Sequence, residues 1–328
     1  MLDKILLKIE PLEIDLKNQI QKSQKNHIWS IINIFLKQLL KLIYFKFHRI
    51  ILKPKLRNYI SSIERKFFRK FNFKEEHYLA TKLKEDSYTD IEDLFDKNEI
   101  SELKLFFCKK RILKSIYTDH KDFMLNDKPN ASITGYINTE ELINNNLVLK
   151  GANNPKLLSL LDSYFKCTYK LDWVWSWWSF PGEEKIGPQK FHRDYENLNF
   201  VKVFVYLTDV DSSNGPHQII KGSHKIDKFY TRTRFSDNDI FENFSKKEDL
   251  ISIEGKSGKS FIANTYAIHK GKNPQNEKRL VLVYLFSVVP SKRSPKIPPV
   301  MFSELNNYTK KLVLKNKYIN SQFIDFNK

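Results

Sequence analysis

From Thr168 onward the chain breaks into short apolar segments: YKLDWVWSWWSF, FVKVFVYLTDV, GPHQIIKGSH, KSFIANTYAIH and RLVLVYLFSVV. Gly, Asn, Pro or charged turns separate them, which is the signature of successive β-strands. Coming after a helical preamble, they predict a mainly β core, a β-sandwich or jelly roll, and argue against an alternating α/β sheet. In VKVFVYLTDV the faces alternate, with Val201, Val203, Val205 and Leu207 on one side and Lys202, Phe204, Tyr206 and Thr208 on the other. The second face is the less uniformly apolar and is expected to look into the barrel. DWVWSWW puts Trp173, Trp175 and Trp177 on one face and Trp178 on the other, where core filling is the expected role. With 41% hydrophobic and 14% aromatic residues among 328, a sizeable core can form and global disorder is excluded.

The chain is expected to divide into three parts: a basic helical N-terminal extension (1–75), the β domain (76–290, with a helical preamble over 76–166), and a basic C-terminal loop and helix (291–328). In the preamble, DIEDLFDKNEISELKLFFCKKRIL predicts one or two helices and NPKLLSLLDSYFK (154–166) an amphipathic one. A last helix is expected over 302–318. Residues 1–75 carry 17 Lys/Arg against 6 Asp/Glu, while residues 76–289 are nearly neutral within a total of +18. The basic ends therefore suit an acidic partner. Within 26–53, Ser30, Asn33, Lys37 and Lys41 form a narrow polar stripe beside a wide apolar surface, and Pro54 ends the helix. Lys37, Lys41 and Lys46 interrupt the run of about 20 apolar residues that a membrane span needs. Such a helix either packs on a protein surface or lies peripherally on an anionic membrane. No nucleic-acid-binding motif accompanies the charge. Only Cys108 and Cys167 are present, in unrelated contexts, and no secretory signal is legible at the N-terminus. A cytoplasmic protein, with peripheral membrane contact through residues 1–75, is the expectation.

The stretch QKFHRDYENLNF places His192 and Asp194 two positions apart, just before the β-branched run. Either a surface strand carries two polar residues on one face, or both side chains are aimed at a metal. Two imidazoles and one carboxylate on one face of an iron leave three positions open for cosubstrate and O2. His-x-Asp on a strand supplies two such ligands, because period two points both the same way. ANTYAIHKG brings His269, expected at the end of a later strand, and Arg279 opens the strand after it. A guanidinium there can grip a carboxylate through two parallel hydrogen bonds. That order of residues on successive strands points to the metal. Lys202 either meets a carboxylate of cosubstrate or substrate inside the barrel or sits in water on an edge strand. Gln189 is expected to line the cavity on the strand face of the pair, His217 to lie in a loop near substrate, and His224 to be structural.

The stretches QKFHRDYENLNFVKVFVYLTDVDSSNGPHQIIKGSHK (189–225) and GKSFIANTYAIHKGKNPQNEKRLVLVYLFS (258–287) resemble the phytanoyl-CoA dioxygenase family, over roughly residues 150 to 290. The resemblance implies a double-stranded β-helix (jelly roll) that uses Fe(II), 2-oxoglutarate and O2. It implies His192, Asp194 and His269 as iron ligands and Arg279 as the partner of the distal carboxylate of 2-oxoglutarate. The implied reaction is hydroxylation of a small-molecule or lipid-linked metabolite with release of succinate and CO2. Asp194 favours this over halogenation, since related halogenases lack that carboxylate. The chain departs from the pattern at Asn264, where many relatives have aspartate, at Lys221, where proline is usual, and at Gly271, where some carry a hydroxyl that helps hold the cosubstrate. From another class, the competing expectation is a catalytically silent jelly-roll binding protein docked to an acidic partner or membrane.

Overall fold

The computed structural model describes residues 39, 43–44, 46–68, 77–114, 122–127, 134–182, 187–244, 249–290 and 298–327. They belong to two compact units, residues 1–51 with 291–296, and residues 52–290 with 297–328. In the first unit residues 46–50 are helical, and the His48 ring lies 5.6 Å from that of Tyr44. Most of the helix expected over 26–53 lies outside the described residues.

Among the described residues the second unit carries thirteen strands. They are β1 (Tyr88–Ile91), β2 (Ile112–Leu113), β3 (Asp122–Phe123), β4 (Thr134–Ile137), β5 (Lys170–Ser179), β6 (Phe200–Tyr206) and β7 (His217–Ile220). After these come β8 (Leu250–Ile253), β9 (Ser260–Ala263), β10 (His269–Gly271), β11 (Arg279–Ser287), β12 (Val300–Met301) and β13 (Ile324–Asp325). An antiparallel sheet of eight strands runs β1-β9-β6-β11-β5-β4-β2-β3, a second of three runs β10-β7-β8, and β12 pairs with β13. This is the expected mainly β core, a double-stranded β-helix with flanking helices.

The central strands are apolar on both faces because both faces are covered. Every residue of β11 is buried. On one face, the Tyr284 hydroxyl donates to Val148 O (2.9 Å) in the helix Asn146–Ala152. That helix packs so close that a Cβ on Gly151 would stand 2.5 Å from the Tyr284 hydroxyl. Helix Pro155–Phe165, as expected from its spacing, buries Leu157, Leu158, Leu160, Leu161 and Phe165. On the other face the two sheets meet. Tyr206 of β6 accepts the His217 N–H (3.0 Å) and donates to Ile253 O (2.9 Å), so one hydroxyl ties the large sheet to two strands of the small one.

Several elements differ from expectation. KSFIANTYAIH is two strands in two sheets, with a corner at Asn264, whose Oδ1 accepts the Tyr266 N–H while its carbonyl accepts the Ala267 N–H. This local turn chemistry overrides the apolar pattern, and His269 therefore begins β10 instead of ending the preceding strand. DIEDLFDKNEISELKLFFCKKRIL yields one helix, Lys97–Cys108, set by an Asp96/Glu99 capping box. The stretch begins in β1 and ends in β2, because their edges pair with β9 and β4. The final helix over 302–318 is instead a 3-10 turn, Phe302–Glu304, then Asn307–Lys315, capped by Asn306, and Lys317–Asn320.

Replacing Tyr206 by Phe strands a buried N–H and a buried carbonyl between the sheets. Unfolding by denaturant is expected to show a loss of about 1–3 kcal/mol with the slope unchanged.

Candidate metal centre

His192 and Asp194 do not sit on a regular strand. Their segment is extended and fastened to the corner before β10. His192 N–H donates to His269 O and His269 N–H to His192 O, both at 2.9 Å, and Asp194 N–H donates to Thr265 O (2.9 Å). The period-two expectation still describes the outcome, since the bridge keeps the backbone extended over these residues. Arg193, between them, takes the opposite side. It is buried, and its guanidinium donates to the carbonyls of Ile226, Lys228, Phe229 and Tyr266 at 2.8–3.1 Å. Sequence reading overlooked it. Its signal was its place inside the pair, where one face points at a metal and the other must be anchored.

The donor atoms of His192, Asp194 and His269 all lie within 4.8 Å of one another. The His192 and His269 rings are 4.3 Å apart by their centroids. Each His Nδ1 is committed, His192 to Lys190 O (2.8 Å) and His269 to Ala267 O (2.9 Å). A carbonyl can only accept, so each Nδ1 carries the proton and each Nε2 presents a lone pair. Those lone pairs face the carboxylate, at 3.5 Å from Asp194 Oδ1 for His192 and 3.4 Å from Oδ2 for His269. Two lone pairs and an anion pointed at one another repel unless a cation lies between them. The donor set therefore fits a divalent ion, and its two-histidine, one-carboxylate composition fits iron.

The electrostatics agree. Burial and the neighbouring His269 push His192 down to about 4. Burial would raise Asp194, and the Lys202 ammonium opposes it; the carboxyl stands well below its usual range. Lys202 is not on an edge strand in water: β6 lies between β9 and β11. Its Nζ sits 2.7 Å from Asp194 Oδ2 and 3.1 Å from Glu196 Oε1, and 5.1 Å from the Trp175 ring centroid. Arg279 is buried at the start of β11, with Nη2 donating to Ser179 Oγ (3.1 Å) and Nε buried without a hydrogen-bond partner.

The remaining candidates fall differently. His224 is structural, its Nε2 3.1 Å from Lys84 O. Gln189 lies in a 3-10 turn, not on a strand, and binds Asn273 Oδ1 (2.7 Å). His217 is the first residue of β7, not a loop residue, and its ring stacks 5.2 Å from that of His269. Arg234, which sequence reading also passed over, is exposed and acts electrostatically on both His192 and Asp194.

Arg193→Met removes four carbonyl contacts from behind the ligand pair. A lower melting temperature and about tenfold or more weaker Fe(II) binding are expected by thermal unfolding and anaerobic metal titration.

The model of the phytanoyl-CoA dioxygenase family matches residues 83–280, well over half of the chain. No curated protein matches the sequence. Among solved structures, the chain is similar to the non-heme α-ketoglutarate-dependent epimerase SnoN from nogalamycin biosynthesis (15% identity, TM-score 0.44, covering 64% of this chain and 81% of that one). It is similar also to HygX from Streptomyces hygroscopicus, solved with nickel, 2-oxoglutarate and hygromycin B (15% identity, TM-score 0.45, covering 68% and 90%). A third is the carbocyclase SnoK (10% identity, TM-score 0.45, covering 65% and 83%).

Proposed function

The chain belongs to the phytanoyl-CoA dioxygenase family, and we propose that it hydroxylates a C–H bond of a small-molecule or lipid-linked metabolite. It is an Fe(II)- and 2-oxoglutarate-dependent oxygenase. The observation that carries this reading is the convergence of His192, Asp194 and His269, both imidazoles offering Nε2, within 4.8 Å.

His192, Asp194 and His269 would hold the iron. When bound, iron with 2-oxoglutarate and O2 supplies the oxidant, one oxygen atom entering succinate as CO2 is lost and the other entering the C–H bond. The protein contributes placement. Arg279 would grip the distal carboxylate of 2-oxoglutarate, using the buried Nε and the Nη2 now shared with Ser179. Lys202 would keep Asp194 ionised and oriented, and would meet a cosubstrate or substrate carboxylate only from that seat. Buried Phe204 and Phe261, stacked 4.8 Å apart, exclude water from the floor of the barrel. An anionic group on the substrate suits the rim, where Arg234 stands.

A second reading concerns where the enzyme works. Helix Pro54–Phe67 is inverted: Arg57, Ser61 and Glu64 are buried, while Leu56, Tyr59, Ile63 and Phe67 are exposed. Its polar side is occupied, with Asn58 Nδ2 donating to His224 O (3.2 Å) and Ser61 Oγ to Leu198 O (3.1 Å). An exposed apolar stripe beside Lys55, Arg65 and Lys66 has the composition of an interfacial helix, and an anionic lipid surface is the partner it fits. Among the described residues no helix is long and apolar enough to cross a membrane.

Anaerobic addition of 2-oxoglutarate to the Fe(II) protein is expected to raise a visible charge-transfer band, absent in His269→Ala and weakened in Arg279→Ala. A folded wild-type protein without the band would leave the silent binding protein as the better reading. The full chain is expected to sediment with phosphatidylserine vesicles at low salt and to be released by Leu56→Glu with Ile63→Glu. A wild-type chain that stays in solution removes the membrane reading.

A further inference from the structure

His217 has a chemical character that its position in the fold does not use. It is 7% exposed, and its Nε2 is buried with no hydrogen-bond partner. A buried, unpaired polar group of this kind costs about 1–3 kcal/mol, so an apolar side chain would serve a purely structural role better. Its surroundings are otherwise aromatic: Phe204 at 4.9 Å, Phe261 at 5.7 Å and the His269 ligand ring at 5.2 Å, nearly parallel to it.

The strand register says what else it faces. β10 and β7 pair antiparallel with Gly271 directly opposite His217 and His269 opposite Ile219. Directly opposed residues project on the same face, with Cβ atoms about 4.5–5.5 Å apart. A Cβ added to Gly271 would stand 3.4 Å from Arg279 Nη2. The His217 side chain thus begins beside the space next to the guanidinium, in which residue 271 places no side chain, and it extends to the ring of a metal ligand. A five-carbon diacid held by the metal at one end and Arg279 at the other would have His217, which neighbours both, beside it. An imidazole in either protonation state carries at least one N–H, so the ring can donate.

We propose that His217 is a cosubstrate-binding residue whose imidazole N–H donates to the distal carboxylate of 2-oxoglutarate, beside Arg279 and across from Gly271. This rests on the Fe(II)/2-oxoglutarate reading and assigns that site a second carboxylate partner. Arg279 supplies charge and His217 supplies a second, directional donor beside it.

The test is a binding measurement without turnover. Wild type, His217→Leu and His217→Gln, each checked for folding by thermal unfolding, are loaded with Fe(II) under anaerobic conditions. They are titrated through the charge-transfer band with 2-oxoglutarate, and with 2-oxopentanoate, which is equally long but lacks the distal carboxylate. His217→Leu is expected to weaken 2-oxoglutarate about tenfold, or about 1.4 kcal/mol. Fe(II) binding and 2-oxopentanoate should stay within about twofold of wild type, and His217→Gln, which keeps an N–H donor, should recover most of the loss. Unchanged 2-oxoglutarate binding in His217→Leu would overturn the proposal, as would equal weakening of both oxoacids. A wild type that gives no band with either oxoacid would overturn the iron reading itself and this assignment with it.

Discussion

The metal centre depends on one reciprocal pair of backbone hydrogen bonds, His192 N–H to His269 O and His269 N–H to His192 O, both 2.9 Å. These residues lie far apart in the chain, and the pair sets their Cα atoms directly opposite. Once that register holds, the rings converge, and Asp194 follows because its own N–H is bound to Thr265 O. Each imidazole then needs only a local carbonyl, two residues before it in the chain, to settle its tautomer. The geometry of the ligands is therefore mostly a property of the main chain, which is stiffer than any side-chain contact.

Around that pair the protein arranges charge so that the convergent donors suit a cation and are held together. The Lys202 ammonium lies against Asp194 and Glu196 and offsets the buried negative charge. Arg193 acts behind His192 and Asp194, donating four hydrogen bonds to backbone carbonyls. It carries charge, yet its role is mechanical: it ties the His-x-Asp segment to the 226–229 loop and to Tyr266. Tyr206 provides the corresponding tie between the sheets, and through the His217 N–H it also places the imidazole beside His269.

The outer layer follows another logic. Helices on one face and the small sheet on the other cover the large sheet so completely that β11 has no exposed residue, which is why RLVLVYLFS reads as a continuous apolar run. Helix Pro54–Phe67 does the reverse, docking through polar residues and leaving apolar ones outside. Burying Arg57 and Glu64 is tolerable because Arg57 donates to the Asn197 carbonyl and lies over the Tyr266 ring, while Glu64 accepts from the Asn199 side-chain amide.

The β class, the helix Pro155–Phe165 and the grouping of His192, Asp194 and His269 that the fold brings within 4.8 Å were legible in the residues themselves. Alternating apolar patterns report a two-faced strand whatever its neighbours, and a His-x-Asp pair followed by His and Arg has few other uses. The limits were equally physical. Asn264 divides one apolar segment between two sheets by accepting the Tyr266 and Ala267 N–H groups in a local turn, which no hydropathy pattern carries. β1 was hidden in a helical-looking stretch because its pairing partner, β9, lies far along the chain. Gln189 was misplaced on two counts: three residues from His192, period two puts it on the opposite face, and it lies in a 3-10 turn, not on a strand. His217 and Lys202 had no fixed meaning in isolation, since the worth of a polar residue depends on what the fold sets opposite it. The sequence by itself determined which chemistry the chain could perform, because ligand types and their order along the chain are covalent facts. Only the tertiary structure decided which polar residues stand at that chemistry, because register and burial arise from contacts between segments distant in the chain.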